Sequence, residues 1–158
     1  DHVQVGWELV VPGKAGKASS GWRHIRSRPA GGGGPVILFR AGVNRPVREE
    51  MARTVEQAVI RSGVRSIEIS STTNARHREG SPHYDGLGVD ICEINGTPIR
   101  NLGARSEGVR KLQLAFERDP AVQEHYGPLL VYLDHRPYRP RNYWGIWRQH
   151  LNHIHVTR

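Results

Sequence analysis

Two segments of this chain gather side chains that hold metal ions. Ser81-Pro82-His83-Tyr84-Asp85-Gly86-Leu87-Gly88-Val89-Asp90 offers an imidazole and carboxylates, and His150-Leu151-Asn152-His153-Ile154-His155 offers three imidazoles. A third stretch, Arg76-His77-Arg78-Glu79, lies just before the first. Zinc takes neutral imidazole nitrogens and carboxylate oxygens at about 2 Å in a tetrahedral array, and a catalytic zinc keeps three protein ligands and leaves a fourth position to water. The chain has a single cysteine, Cys92, so an internal disulfide and a Cys-rich metal site are both excluded. Any metal is therefore held by His and carboxylate, and Cys92 is expected to be a small buried hydrophobe. His83 falls in a loop and Asp90 early in the next strand. Gly86 and Gly88 allow the chain to turn so that both face one point. On a closing strand His153 and His155 are two apart and share a face. Only one of them need bind metal, and the other is left for hydrogen bonding or for acid–base work.

The elements that position these groups follow from periodicity. Val36 to Phe39 is a short apolar run and predicts a strand. Asn44 suits an N-cap and Pro46 a first helical turn. Val47, Met51, Val55, Ala58 and Val59 then recur at helical spacing, and Gly63 stands where a C-terminal glycine belongs. The expected helix runs from about 45 to 62. Val64 to Ser70 alternates as a strand with one buried face. Residues 72–88 read as a loop and 89–94 as a strand. Residues 106–126 read as mostly helical, divided at Pro120. Residues 129–133 predict another strand, and 152–156 alternate as the last one. Strands 3–11 and a Gly/Ser-rich connection from 12 to 35 make residues 1–35 an N-terminal extension of a single domain spanning 1–158. Short strands dominate near the histidines, which suggests an α+β domain with a small, mainly antiparallel sheet.

At the first segment Ser81, His83, Gly86 and Asp90 are in register with a known pattern. The segment resembles the Ser-x-His-x-x-Gly-x-Ala-x-Asp signature of the D-Ala-D-Ala metallopeptidase and hedgehog-domain superfamily, with Gly88 at the Ala position. Asn152-His153-Ile154-His155-Val156 is similar to the His-x-His strand that closes the same site. The likeness covers roughly residues 64–90 and 152–156. It implies a hedgehog/DD-peptidase-like fold, a zinc ion (Zn2+) held by His83, Asp90 and His155, and His153 as the non-ligand histidine of that strand. It places His77 near a histidine that faces the metal in hedgehog domains. Arg76 or Arg78 is then available for a substrate carboxylate or the transition-state oxyanion.

Two positions depart from the family. Carboxypeptidases of the superfamily carry Glu or Asp where this chain has Asn152, and hedgehog domains carry Glu where it has Gln149. Penicillin-insensitive murein endopeptidases show His-x-x-His-x-His, which His150, His153 and His155 match. The resemblance therefore implies a zinc peptidase that cuts stem or cross-link peptides of peptidoglycan, with His150 or His153 as base. An imidazole whose pKa lies near neutrality suits that role.

Composition bounds the partners. The formal charge is +8. A basic surface attracts polyanions such as nucleic acid, anionic lipid or acidic cell-wall polymer, without choosing among them. No window approaches 18 uninterrupted apolar residues, so membrane insertion is not expected. Gly31 to Gly34 lacks the Lys-Ser/Thr ending of a phosphate loop. The segment 135–147 interleaves Arg136, Arg139 and Arg141 with Tyr138, Tyr143, Trp144 and Trp147, which suits stacking on bases, a groove for glycan or peptide, or packing on the core. Nucleic acid is the less expected partner, because the His-rich end lacks phosphate-facing carboxylates. A secreted or periplasmic peptidase, or the lytic or toxin domain of a larger secreted protein, is the leading expectation. A non-catalytic zinc-stabilised binding module comes second and a metal-dependent nuclease third. His2, His24, His125 and His135 have no companions and are expected at the surface.

Overall fold

The computed structural model describes residues 21–28, 33–74, 77–133, 136–137 and 143–158. The expected strand at 3–11 and most of the Gly-rich run lie outside them. The strands are β1 (Trp22–Arg23), β2 (Val36–Phe39), β3 (Val47–Arg48), β4 (Ser66–Ser71), β5 (Gly88–Ile94), β6 (Thr97–Pro98), β7 (Glu124–Tyr126), β8 (Val131–Leu133), β9 (Arg136–Pro137) and β10 (Ile154–Thr157). The helices are α1 (Glu49–Ser62), α2 (Ile99–Leu102), α3 (Glu107–Glu117) and α4 (Tyr143–Gln149).

The fold is mixed α/β, with an eight-stranded sheet ordered β2-β4-β5-β10-β7-β8-β9, β6 on the flank of β5, and a separate ribbon of β1 and β3. Among the described residues only β2 and β4 run parallel; the other pairs are antiparallel. The mainly antiparallel expectation holds, but the sheet is larger than expected. Strands of two or three residues, such as β6 and β7, are too short to show a period in sequence.

Alternation divides the central strands between two faces. Ile67 and Ile69 of β4, Val89 and Ile91 of β5, and Ile154 and Val156 of β10 join one buried cluster with Met51, Val55 and Val59 of α1 and Leu112 and Phe116 of α3. The intervening residues, Asp90 and His155 among them, point to the other face. Burying each such apolar side chain contributes about 1.5–3 kcal/mol, so the helices anchor the sheet that carries the site.

Helix α1 ends as expected: Gly63 takes a left-handed conformation (φ 66°) and its N–H reaches the Ile60 carbonyl. Its start differs. The helix begins at Glu49, and Asn44 caps nothing; its Oδ1 lies 3.2 Å from His24 Nδ1 instead. Val47 and Arg48 are drawn into the ribbon with Arg23 and Trp22, and Glu49 N–H donates to Gly21 O at 2.9 Å. That docking also corrects the reading of 12–35 as a mere connection, for residues 21–28. Ile25 is buried in the core, and Arg23 pairs with Glu56 of α1 at 2.6 and 3.0 Å.

The expected long helix at 106–126 stops at Glu117. Pro120 sits in a turn closed by Val122 N–H to Asp119 O and Ala121 N–H to the Asp119 side chain. Residues 124–126 then pair with β10, which Gln123 reaches first through Thr157 O. A strand replaces the expected helical tail because that sheet edge offers backbone partners.

Candidate metal centre

Strand register puts the polar groups in one row. Ser71 of β4 lies opposite Asp90 of β5, Asp90 opposite His155 of β10, and His155 opposite Tyr126 of β7. One step on, Val156 lies opposite His125, and both are buried. A slip of one residue in β10 would exchange the two faces.

His83 reaches the row from the loop between β4 and β5. That loop winds into tight turns: Asp85 N–H donates to Ser81 O, Leu87 N–H to Pro82 O and Gly86 N–H to His83 O. Gly86 is left-handed (φ 73°), and a Cβ there would collide with the Trp22 ring. Trp22 thus lies on the loop, with Arg48 stacked 4.7 Å from its ring centre and Arg48 N–H donating to Gly86 O. Gly88 is required for a different reason. A Cβ there would come within 2.9 Å of the His83 backbone nitrogen and 3.0 Å of its ring. The absence of a side chain at 88 therefore lets His83 lie directly against the start of β5.

The structure brings His83, Asp90 and His155 together. His83 Nε2 is 3.3 Å from Asp90 Oδ1 and 3.3 Å from His155 Nδ1, and His155 Nδ1 is 2.8 Å from Asp90 Oδ1. A tetrahedral ion with bonds of about 2.0–2.1 Å spaces its donors about 3.3 Å apart. Two sides of the triangle match that spacing, and the third is the length of a hydrogen bond that a shared proton makes. The donors fit a small divalent cation that takes the place of the shared protons.

The tautomer of His83 is fixed by its surroundings. Its Nδ1 lies 2.9 Å from Thr72 O, and a carbonyl only accepts, so Nδ1 carries a hydrogen, and in the neutral ring Nε2 presents its lone pair. Thr72 is held in turn: its hydroxyl donates to Val43 O and its N–H to the Asn74 side chain. Burial works against charge on both His83 and Asp90. Hydrogen bonds and opposite charge outweigh it: Asp90, with help from the Thr72 carbonyl, raises the pKa of His83, and His155 first, then His83, hold the Asp90 carboxyl well below the usual carboxylate range. Asp90 is thus ionised at any pH near neutrality.

Around the triangle stand the other expected residues. His77 stacks on His83, ring centres 4.5 Å apart, with Nε2 3.4 Å from the Ser71 hydroxyl. Arg76 lies outside the described residues. His150 follows α4 directly; its Nδ1–H donates to Ile146 O at 2.6 Å, leaving Nε2 as an acceptor. Its ring is 5.9 Å from that of His155 and 4.8 Å from that of His153. His153 donates from Nδ1 to the Asn152 side chain at 2.7 Å. Burial lowers the pKa of His77, His150 and His153, so all three are neutral near pH 7. Asn152 and Gln149 are both exposed.

Other expectations change. His125, expected at the surface, is fully buried, while His24 is exposed as expected. Of the aromatic run at 135–147, Trp147 is tied down by its Nε1–H to Pro128 O at 3.0 Å, and Trp144 is 66% exposed. Sequence reasoning missed Ser71, Thr72 and Tyr126. Tyr126 lies 5.7 Å from the His155 ring and edge-on to His150. Its only local signal is the alternation of Glu124-His125-Tyr126, which a short strand also gives.

Comparison with protein-family models and with curated proteins finds no match to this chain.

Proposed function

We propose that this protein is a zinc-dependent peptidase of the hedgehog/DD-peptidase type that hydrolyses peptide bonds in peptidoglycan stem or cross-link peptides. The observation that supports it is the triangle of His83, Asp90 and His155, flanked by two neutral histidines whose Nδ1 atoms are already engaged. When bound, zinc supplies Lewis acidity that lowers the pKa of a water and polarises a carbonyl.

The chain's own residues do the rest. Asp90 holds negative charge toward the cation, and the Thr72 carbonyl keeps His83 in its ligating tautomer. His150 or His153 accepts a proton at Nε2 and returns it to the leaving amine, a role worth about 10²–10⁴ in rate. His77, packed on His83, is positioned to donate to a developing oxyanion. The imidazoles take the place of the carboxylate that Asn152 and Gln149 lack. Such an enzyme acts in the cell envelope, as a secreted or periplasmic protein or as the lytic domain of a larger one.

Asn152 gives weight to a second reading, a zinc-stabilised binding module that cuts nothing, since an amide cannot take a proton. Digestion of purified peptidoglycan by the zinc-loaded protein, with mass analysis of the fragments, separates the two. New amine termini that vanish in His83→Ala support the peptidase. Intact muropeptides at full zinc occupancy refute it, and chelator-sensitive nicking of plasmid DNA moves the reading to a nuclease.

A further inference from the structure

A cavity of about 420 Å³ adjoins the metal donors, and Asp90 and His153 form part of its wall. Ser70 and Ser71 of β4 line it as well, together with two arginines, Arg40 and Arg100. Topology explains why Arg100 stands there. β5 carries Asp90 and then reverses through Asn95 and Gly96, both with positive φ (54° and 79°). Two consecutive positive φ values make the tight turn a two-residue hairpin needs. β6 pairs back on β5, Pro98 opposite Glu93, and α2 follows at once, so Arg100 returns beside the strand of the metal ligand. Arg40 arrives from the end of β2, on the far side of β4.

The charges in this cavity are unequal. Arg40 donates from Nε to Glu68 at 3.0 Å, so its charge is already balanced in part. Arg100 has no ion pair among the described residues. Asp90 is the one carboxylate on the wall among those residues, and it is committed to His83 and His155. A cavity with a spare guanidinium, two hydroxyls and no free carboxylate takes an anionic group. Guanidinium holds planar carboxylate through paired, charge-assisted hydrogen bonds. A nucleic-acid track would instead need cations repeated along its length to follow successive phosphates. One open guanidinium beside a partly neutralised one fits a single carboxylate.

We infer that this cavity is a subsite for a carboxylate of the peptide substrate, with Arg100 as its main partner and Arg40 as its neighbour. The carboxylate is a chain-terminal one or that of an acidic side chain, two sources with the same chemistry. The inference deepens the peptidase reading and rests on it for the location of the bond that is cut. Arg100 is a specificity residue in this account and takes no part in proton transfer.

The test is equilibrium binding to the zinc-loaded protein by calorimetry, with no cleavage required. The probes are acetyl-Ala-Ala, its C-terminal amide, acetyl-Glu-amide and inorganic phosphate. At least one of the two carboxylates is expected to bind about tenfold tighter than the uncharged amide. Tighter binding of acetyl-Ala-Ala assigns a terminal carboxylate, and tighter binding of acetyl-Glu-amide a side-chain one. Arg100→Ala is expected to bring acid and amide within about twofold of each other at unchanged zinc content, and Arg40→Ala to narrow the gap only in part. The inference is overturned if the amide binds as well as both acids, or if phosphate outcompetes them. It is overturned equally if the preference survives Arg100→Ala, since the anion then sits on the metal itself. A protein that binds carboxylates and leaves peptidoglycan intact fails the peptidase reading alone. One that cuts peptidoglycan and ignores the carboxylate fails this one alone.

Discussion

Strands β10 and β7 carry two histidines on opposite faces of one sheet, a single register step apart. His155 faces Asp90 on one neighbour and Tyr126 on the other. His125 faces the core opposite Val156 and Tyr132, its ring 4.8 Å from the Tyr132 ring and 6.5 Å from Phe116. Gln113 Nε2 stands 3.5 Å from His125 Nδ1, and His125 Nε2 has no hydrogen-bond partner among the described residues. Burial alone pushes the pKa of His125 down to about 3. Across the sheet the same penalty falls on His83 and Asp90, yet mutual hydrogen bonds reverse it and keep the carboxylate ionised. His83 and His125 are both buried imidazoles. The partners decide whether a buried imidazole is a neutral wedge or a member of a charged cluster.

That contrast breaks first if the core face proves to matter for metal. His83→Ala should weaken zinc binding by more than the 10–100-fold typical of outer-sphere partners, while His125→Leu leaves it unchanged. Zinc content after dialysis against a competing chelator reads both, and loss of zinc from the His125 variant would erase the distinction. The two remaining site histidines come next. His150→Ala or His153→Ala should slow peptidoglycan cleavage about 10²–10⁴-fold at full zinc occupancy, and the variant with the larger loss identifies the base. If both retain full rate, neither histidine serves as base.

Acid should expose the core face. The folded pKa of His125 lies below its unfolded value near 6.5, so the unfolded chain binds a proton that the folded chain refuses. Its contribution is complete above pH 6.5 and is lost as the pH falls toward 3, with a slope of at most about 1.4 kcal/mol per unit. Between pH 7 and 5 the wild type should lose about 2 kcal/mol more than His125→Leu, seen as a larger drop in urea midpoint. Equal drops would mean that His125 is protonated in the fold. Two glycines complete the comparison. Gly88→Ala presses a methyl on His83, and Gly127→Ala presses one within 2.7 Å of Gln113. Each should cost about 1–3 kcal/mol in thermal or urea unfolding, but only the first should also weaken zinc.

Much of this was legible because it is local. Gly63 closes α1 as its position suggests, alternation marks β4, β5 and β10, and the motif spacing leads to His83, Asp90 and His155. The features that were not legible depend on partners distant in sequence. β1 and β3 are two residues each and exist because they pair with each other. Asn44 and Pro46 have the chemistry of a helix start, but Gly21 and Gly86 claim the backbone at 48–49. Tyr126 and Ser71 join the site only through register, and His125 leaves the surface for the same reason. The Thr72 carbonyl that orients His83 belongs to the backbone and leaves no trace in residue type.

Trp22 and Gly86 have a consequence for how this sequence can drift. A side chain at 86 would occupy the space of the indole and would also strain the left-handed backbone there, so the indole persists only while 86 stays bare. The dependence runs one way: the glycine is needed by its turn with or without the ring, whereas the ring needs the glycine. A survey of natural variants should find tryptophan at 22 only where glycine stands at 86. Gly86 thus answers two demands at once, the turn of its own loop and an aromatic ring contributed from near the N-terminal end of the described chain.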